Sequence, residues 1–284
     1  MTRPFHWSVR RELWENRSLY YAPLATAVFL LFGYGVSTIG MPERRRALLT
    51  LDAAKQSAAI SMPYDVAAIM LIVTAFLVGA FYCLDALYGE RRDRSILFWK
   101  SLPVSDRTTV LAKAAIPLAV LPIVTFVITV ITQLLMLLWT TVVLLPSGLA
   151  GSTFRRYNFL EQSVILLYGL IVVALWHAPI YGWLLLISAW ARRAAVLWGV
   201  LPLFAIAIFE KLAFGSMNFA LMIRHRVFDF VSTAFVFDSK SKIDSVTQLA
   251  PGRFLSTPSL WMGLIFAAIC LVAAVRLRRN REPI

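Results

Sequence analysis

Few residues in this sequence could do covalent chemistry, and their spacing does not suit it. The three histidines, His6, His177 and His225, stand far apart and form no metal-ligand spacing. Cys83 and Cys270 both lie inside apolar blocks, which argues against a disulfide framework or a thiolate metal site. No G-x-x-x-x-G-K-[ST] occurs, so the chain cannot hold a nucleotide in the Walker A manner. An intramembrane enzyme would need paired carboxylates, a His–Glu metal motif or a Ser–His pair at membrane depth. The polar residues converge on no such set. The expectation is a chain that is not an enzyme and carries no cofactor of its own.

Residue types that favour recognition are concentrated in one stretch, YGERRDRSILFWKSLPVSDRTTVLAK at 88–113. Glu90 and Arg94 are four apart and can pair along a helix. Ile96, Leu97 and Trp99 offer apolar surface beside Arg92, Asp93 and Lys100. A merely solvated loop has no need of such a cluster, whereas apolar knobs ringed by mixed charge suit a docking surface. Pro103 disfavours helix at Leu102. Ser105 is placed to cap a new helix, with Asp106 in its first turn where the helix dipole favours an acid. The stretch therefore reads as a short amphipathic helix, a proline-set turn and the start of a membrane span.

A second such stretch is HWSVRRELWENRSLYY at 6–21. Trp7, Trp14 and Tyr21 recur every seven residues, so they share one helical face, with Arg10, Arg11, Glu12 and Arg17 around it. Ser8 is a candidate N-cap. This pattern predicts an interfacial helix with tryptophan at headgroup depth. It serves either as an anchor for the first span or as a helix that a cytosolic partner touches.

These segments must be carried by membrane helices. Of the 284 residues 60% are hydrophobic and 15% charged, more apolar side chain than a soluble domain of this length can bury. The apolar residues come in six blocks, roughly 19–40, 65–88, 114–145, 163–191, 194–214 and 258–276, each long enough for a ~30 Å bilayer core. The fold class expected is all-α, a polytopic membrane protein. Pro117 and Pro122 are expected in the first turns of the third span, where a missing N–H costs least. The net charge of +13 comes from short clusters between apolar blocks, which suits lipid headgroups and helix orientation rather than nucleic acid. Arg3, Arg10, Arg11, Arg17, the basic residues of 91–113, Arg192, Arg193 and 276–281 fall on one side. Arg44–Arg46, Lys55, Arg155, Arg156, Arg224, Arg226, Lys240, Lys242 and Arg253 fall on the other. The bias places both termini in the cytosol.

Within the spans, Asp65 and Asp85 are expected near the two ends of the second, with Asp85 paired to Arg91 or Arg92. His177 either faces a pathway or donates to a carbonyl freed by Pro179. Thr125, Thr129, Thr132 and Gln133 follow helical spacing and suit helix–helix hydrogen bonds. Glu210 and Lys211 are expected at the outer end of the fifth span. The stretch NFALMIRHRVFDFVSTAFVF at 218–237 is apolar enough for a seventh span. Arg224, His225, Arg226 and Asp229 would then lie near the bilayer centre, at ~2.5–3.5 kcal/mol for each Arg or Asp, so it is read as an amphipathic or re-entrant outer segment.

The segment ERRDRSILFWKSLPVSDRTTVLAK at 90–113 resembles the loop between the second and third helices of ABC-2-type transporter permeases. The segment RRELWENR at 10–17, with its aromatic entry into the first span, resembles their start, and the block spacing extends the likeness over essentially the whole chain. The resemblance implies the membrane subunit of an ATP-binding-cassette exporter in a bacterial plasma or inner membrane. A separate ATPase subunit would hold ATP and Mg, and a second permease subunit, identical or homologous, would complete the pathway. It also implies that Glu90, Arg91, Arg92, Asp93, Arg94 and Ser95 contact the ATPase, supported by Ile96, Leu97 and Trp99. The N-terminal helix, with Arg10, Arg11, Trp14 and Arg17, becomes the connecting helix. The 215–257 segment becomes a re-entrant gate, with His177, Phe228 and Asp229 as candidate pathway or gate residues. The alternatives are a secondary transporter, which would show inverted repeats around a mid-membrane ion site, and an intramembrane enzyme.

Overall fold

The computed structural model describes residues 4–101, 104–236, 243 and 245–280. Arg3, Pro103, Lys240, Lys242, Arg281 and the Lys100 side chain, named above, lie outside the described residues. Among the described residues there is no strand, only an isolated bridge between Phe235 and Leu249.

An N-terminal helix α1 (Pro4–Glu15) precedes the first span, α2 (Ser18–Ser37). A short helix α3 (Met41–Leu48) follows Gly40, whose φ of 70° suits glycine. The second span is α4 (Ala53–Ala86), continued by α5 (Tyr88–Arg92) and then α6 (Ile96–Ser101). The third is α7 (Asp106–Ala115), a π-helical turn at Ile116–Val120, and α8 (Leu121–Leu144). After α9 (Gly151–Phe154) come the fourth span, α10 (Phe159–Trp190), and the fifth, α11 (Ala195–Phe214). Next are α12 (Asn218–Phe228), α13 (Phe230–Ala234) and α14 (Pro251–Ser256), and the sixth span is α15 (Pro258–Asn280). Among the described residues six helices are long and apolar enough to cross a membrane, as expected of an integral membrane protein.

Several boundaries differ from expectation. The second span begins at Ala53 rather than 65, because polar helix extends the apolar block outward. Asp65 therefore lies inside a helix, not near its end. The third span begins at Asp106 rather than 114, so Pro117 and Pro122 sit well inside it. The π-helical turn at Ile116–Val120 surrounds Pro117, and a widened turn of this kind absorbs a missing N–H. Ser8 is not an N-cap. It lies within α1, and its hydroxyl donates back to the Pro4 carbonyl at 2.8 Å.

Small residues set the helix crossings. A Cβ on Gly182 of α10 would stand 3.1 Å from the Ala267 backbone of α15, so these two helices pack backbone to backbone. α1 and α2 both run beside the third span. Lys113 reaches Glu12 at one end and Trp139 reaches Thr38 at the other, each pair 101 residues apart. Thr125, Thr129 and Thr132 do not bridge helices; each donates to its own i−4 carbonyl. The bridges are made by Gln133, which donates to the Tyr64 carbonyl at 3.1 Å, and by Thr140, bonded to Tyr34 at 2.5 Å.

Candidate functional site

Near the chain termini, four elements bring their charged residues together out of water. Glu12 of α1 accepts from Arg11 at 2.7 Å, from Lys113 of α7 at 2.8 Å and from the Tyr82 hydroxyl of α4 at 2.8 Å. Glu90 of α5 lies 3.1 Å from Lys113 and 3.4 Å from Arg11, and accepts a close bond from Arg278 of α15. Arg278 also donates to Asp106 at 3.1 Å. Three cations and three carboxylates thus face one another, with Glu15 at the exposed rim 3.7 Å from Arg11, and Glu12, Glu90, Lys113 and Arg278 are all buried. The arrangement neutralises itself, as a buried charge cluster must. Burial opposes ionisation of Glu12, but Lys113 and Arg11 outweigh it and hold its carboxyl below the ordinary 4.5.

This cluster corrects the local reading of the 88–113 stretch. Glu90 does not pair with Arg94, and it is 8% exposed rather than open to a partner. The helix breaks between them, with Arg94 in a left-handed conformation at φ 56°. Arg91 is also buried, and its guanidinium donates to the Ser188 and Ala191 carbonyls at the C-terminal end of α10. That is where the helix dipole favours a cation. The Ser188 hydroxyl accepts from the backbone N–H groups of Leu87 at 3.0 Å and Tyr88 at 2.9 Å. The start of the loop is therefore pinned to the fourth span.

What remains exposed is the tip. Arg92, Asp93 and Arg94 face outward, Arg92 pairing with Asp93 at 2.9 Å and with Asp85 at 3.7 Å. The Asp85 pairing is one of those expected. Leu97 and Phe98 are 59% and 61% exposed, whereas Ile96 is buried and anchors α6. Ser95 and Trp99 are half-buried, and Trp99 lies under Arg11, 4.0 Å from guanidinium carbon to ring centre. Ser105 caps α7 as expected, accepting from the Thr108 N–H at 3.2 Å.

On α1, Trp7 and Trp14 are exposed on one side with Arg10 over both rings. Tyr21 is exposed in the same way, and Arg17 is exposed between α1 and α2. Glu12 and Lys113 are the residues that sequence reasoning missed. Lys113 has Val110, Ile116 and Pro117 beside it on its helix face, which was an available signal; of the residues three and four from Glu12 only Val9 is apolar, so no local pattern marked it.

Midway along the fourth span, His177 is buried in α10 and tied to the segment after the fifth span. Its Nδ1 meets the Val173 carbonyl at 2.8 Å and its Nε2 the Val227 carbonyl at 3.2 Å, while Phe76 and Phe230 edge its ring. The carbonyl that Pro179 leaves free in the helix, that of Leu175, is not its partner. Arg226 lies over Trp176, donates to the Ser259 carbonyl at 3.0 Å and presses against Gly263 of α15. Phe228 is 67% exposed, and Asp229 pairs with His225 rather than with anything in the spans. Glu210, at the end of α11, accepts from the Asn218 and Phe219 N–H groups and so caps α12.

No protein-family model, no curated protein and no solved structure matches this chain.

Proposed function

We propose that this chain is the membrane subunit of an ATP-driven exporter, and that its 92–98 tip docks on a separate ATPase subunit. The observation that carries the reading is the buried charge cluster behind that tip. Glu90, two residues before Arg92, is ion-paired to the N-terminal helix, the third span and the sixth span at once. A push on the exposed tip is thereby delivered to three other elements. A solvated connector has no need of such wiring, and a buried charge cluster is not the cheapest way to stabilise a fold.

The docking set is narrower than the resemblance implies. Arg92, Asp93, Arg94, Leu97 and Phe98 form the contact, with Ser95 and Trp99 at its edge. Glu90, Arg91 and Ile96 hold it from behind. Arg10, Arg11, Trp14 and Arg17 line the connecting helix alongside. At the far end, α12 and α13 serve as a re-entrant gate rather than a flat interfacial helix. The Val227 carbonyl meets α10 at His177, one helical turn past the level at which α15 starts opposite it, ~6 Å deeper. In this reading the pathway is completed by a second permease subunit, both termini are cytosolic, and ATP and Mg stay on the ATPase.

The test is the ATPase encoded with this chain, co-purified and reconstituted. Arg92→Ala and Leu97→Ala are expected to abolish stimulation of ATP hydrolysis while leaving melting unchanged. Arg253→Ala, an exposed far-end control, is expected to do neither. Stimulation that survives both loop variants removes the coupling assignment.

A further inference from the structure

A second polar site lies at the far end, between the first three spans and α3, and it does not depend on the transport reading. Arg45 of α3 is 4% exposed, and its Nη1 is buried with no hydrogen-bond partner. Among the described residues no carboxylate stands within ion-pair distance of it. The groups it feels are the phenols of Tyr34 and Tyr64. Tyr157 stacks on Tyr64 at 4.3 Å between ring centres, and its hydroxyl is also buried without a partner. A buried guanidinium with an unmet donor and no counter-charge is costly, and an anion relieves that cost.

The neighbouring arginines behave differently. Arg44 is occupied by the carbonyls of Ser37 and Ile39 that end α2, whereas Arg46 is exposed. Arg45 is thus the one drawn inward.

Tyr34 also lines a groove of about 690 Å³ between α2 and α8, whose other walls are Leu31, Phe32, Leu135, Leu138 and Val142. Gly35 forms part of its floor, and a Cβ there would meet nothing within 4 Å. A free inorganic anion would have no use for that apolar groove. An uncharged lipid would have no use for Arg45. An amphiphile satisfies both, because Tyr34 lines the groove and is one of the two tyrosines near enough to act electrostatically on the buried arginine.

We propose that this is an anionic-phospholipid site, with the phosphate on Arg45 and an acyl chain in the groove between the first and third spans. Charge-assisted bonds from a guanidinium to a phosphate are the strong class of such contacts.

The experiment uses the full purified chain, delipidated in mild detergent, with native mass spectrometry to count retained lipid and a melting curve alongside. Phosphatidylglycerol is expected to be retained about tenfold better than phosphatidylcholine with the same acyl chains, and to raise the melting temperature. Inorganic phosphate alone is expected to do nothing. Arg45→Gln should erase the preference between the two lipids. Gly35→Leu, which fills the groove and leaves the arginine in place, should lower retention of both. Equal retention of the two lipids by the natural chain overturns the proposal, as does a preference that survives Arg45→Gln. A melting shift from phosphate alone overturns it in favour of a free-anion site. If Gly35→Leu changes the oligomeric state and leaves lipid retention intact, the groove belongs to a second copy of the chain and the lipid assignment fails.

Discussion

Glu90 and Arg92 stand two residues apart and belong to different worlds. Arg92 is exposed, and its partners are near neighbours in the chain. Glu90 is buried, and its closest partner, Arg278, is 188 residues away. Replacing Glu90 with Ala leaves Lys113 and Arg278 short of a counter-ion in a dry setting, and breaking a buried pair from one side costs ~3–5 kcal/mol. Glu90→Ala is therefore expected to lower the detergent melting temperature sharply, and Arg92→Ala to leave it where it was. A thermal melt of the two variants side by side decides this; equal melting would mean that the cluster contributes nothing to the fold. Acid should act on the same cluster. The Glu12 carboxyl is held below its ordinary value in the folded chain. Its contribution is present above the ordinary carboxylate range and is lost as pH falls through the depressed folded value. Melting is expected to be flat from neutral pH down to that range and to fall below it, with the drop blunted in Glu12→Gln. The i,i+4 spacing of Glu90 and Arg94 suggests a local pair, yet the left-handed residue at Arg94 ends the helix before the pair can form. Spacing in a sequence reports only partners along one helix. The partners that matter here come from α1, α7 and α15, and only the packed bundle reveals them.

At the scale of elements, the apolar blocks were legible because a bilayer imposes a length. Their ends were not, because helix continues into water where composition no longer marks it. The polar first turns of α4 were missed for that reason. The helix that Ser105 caps was foreseen, but the apolar block alone set the start of the third span at 114, which misplaced Pro117. The segment after the fifth span was legible in part. Arg224, Arg226 and Asp229 excluded a seventh span, and α12 is indeed short. That Arg226 would turn inward was hidden, because its receptor is an absence: Gly263 on α15 leaves the space that the guanidinium fills, against Pro179 and over Trp176. With His177 holding the Val227 carbonyl, this forms a two-point latch between α12 and the fourth and sixth spans. Gly263→Val should evict Arg226, and Arg226→Ala should empty the same slot. Both are expected to speed backbone hydrogen exchange over 218–234 by about tenfold, equivalent to ~1.4 kcal/mol of local opening, and to leave α1 and α7 untouched. Exchange unchanged in both variants would show that the segment is held by its apolar contacts alone.

Taken whole, the molecule is uneven along its membrane axis. The first, fifth and sixth spans have 20, 20 and 23 residues, close to what a ~30 Å core requires. The second, third and fourth run to 40, 42 and 32 residues. At 1.5 Å per residue the longest is ~63 Å, about twice the core thickness. In a bilayer of that thickness the surplus would project at both ends. Near the termini it carries Lys113 and Glu90 to the charge cluster; at the far end it supports α3, α13 and α14. In the proposed topology six spans would place both termini on one side, together with the 92–98 tip. Basic residues flank the spans on that side at Arg91, Arg92, Arg94, Arg107, Arg192, Arg193, Arg276, Arg278 and Arg279, and that bias would assign it to the cytosol. The opposite end is not free of charge, since Arg44, Arg45 and Arg46 follow the first span directly. Arg44 is exposed and donates to the carbonyls that end α2, Arg45 is buried, and both keep their charge on that side, so the bias is only partial. Single-cysteine reporters test it cleanly, because Cys83 and Cys270 are both buried and give little background. Ser105→Cys, beside the tip, is expected to be shielded from an impermeant maleimide in intact cells and labelled only after permeabilisation. Thr50→Cys, between the first and second spans, is expected to react in intact cells. Both positions are exposed, so failure to label is not a matter of burial. Labelling of both from the same side would break the six-span topology. The reverse pattern would invert the molecule, put the 92–98 tip out of reach of any cytosolic ATPase and end the coupling proposal with it.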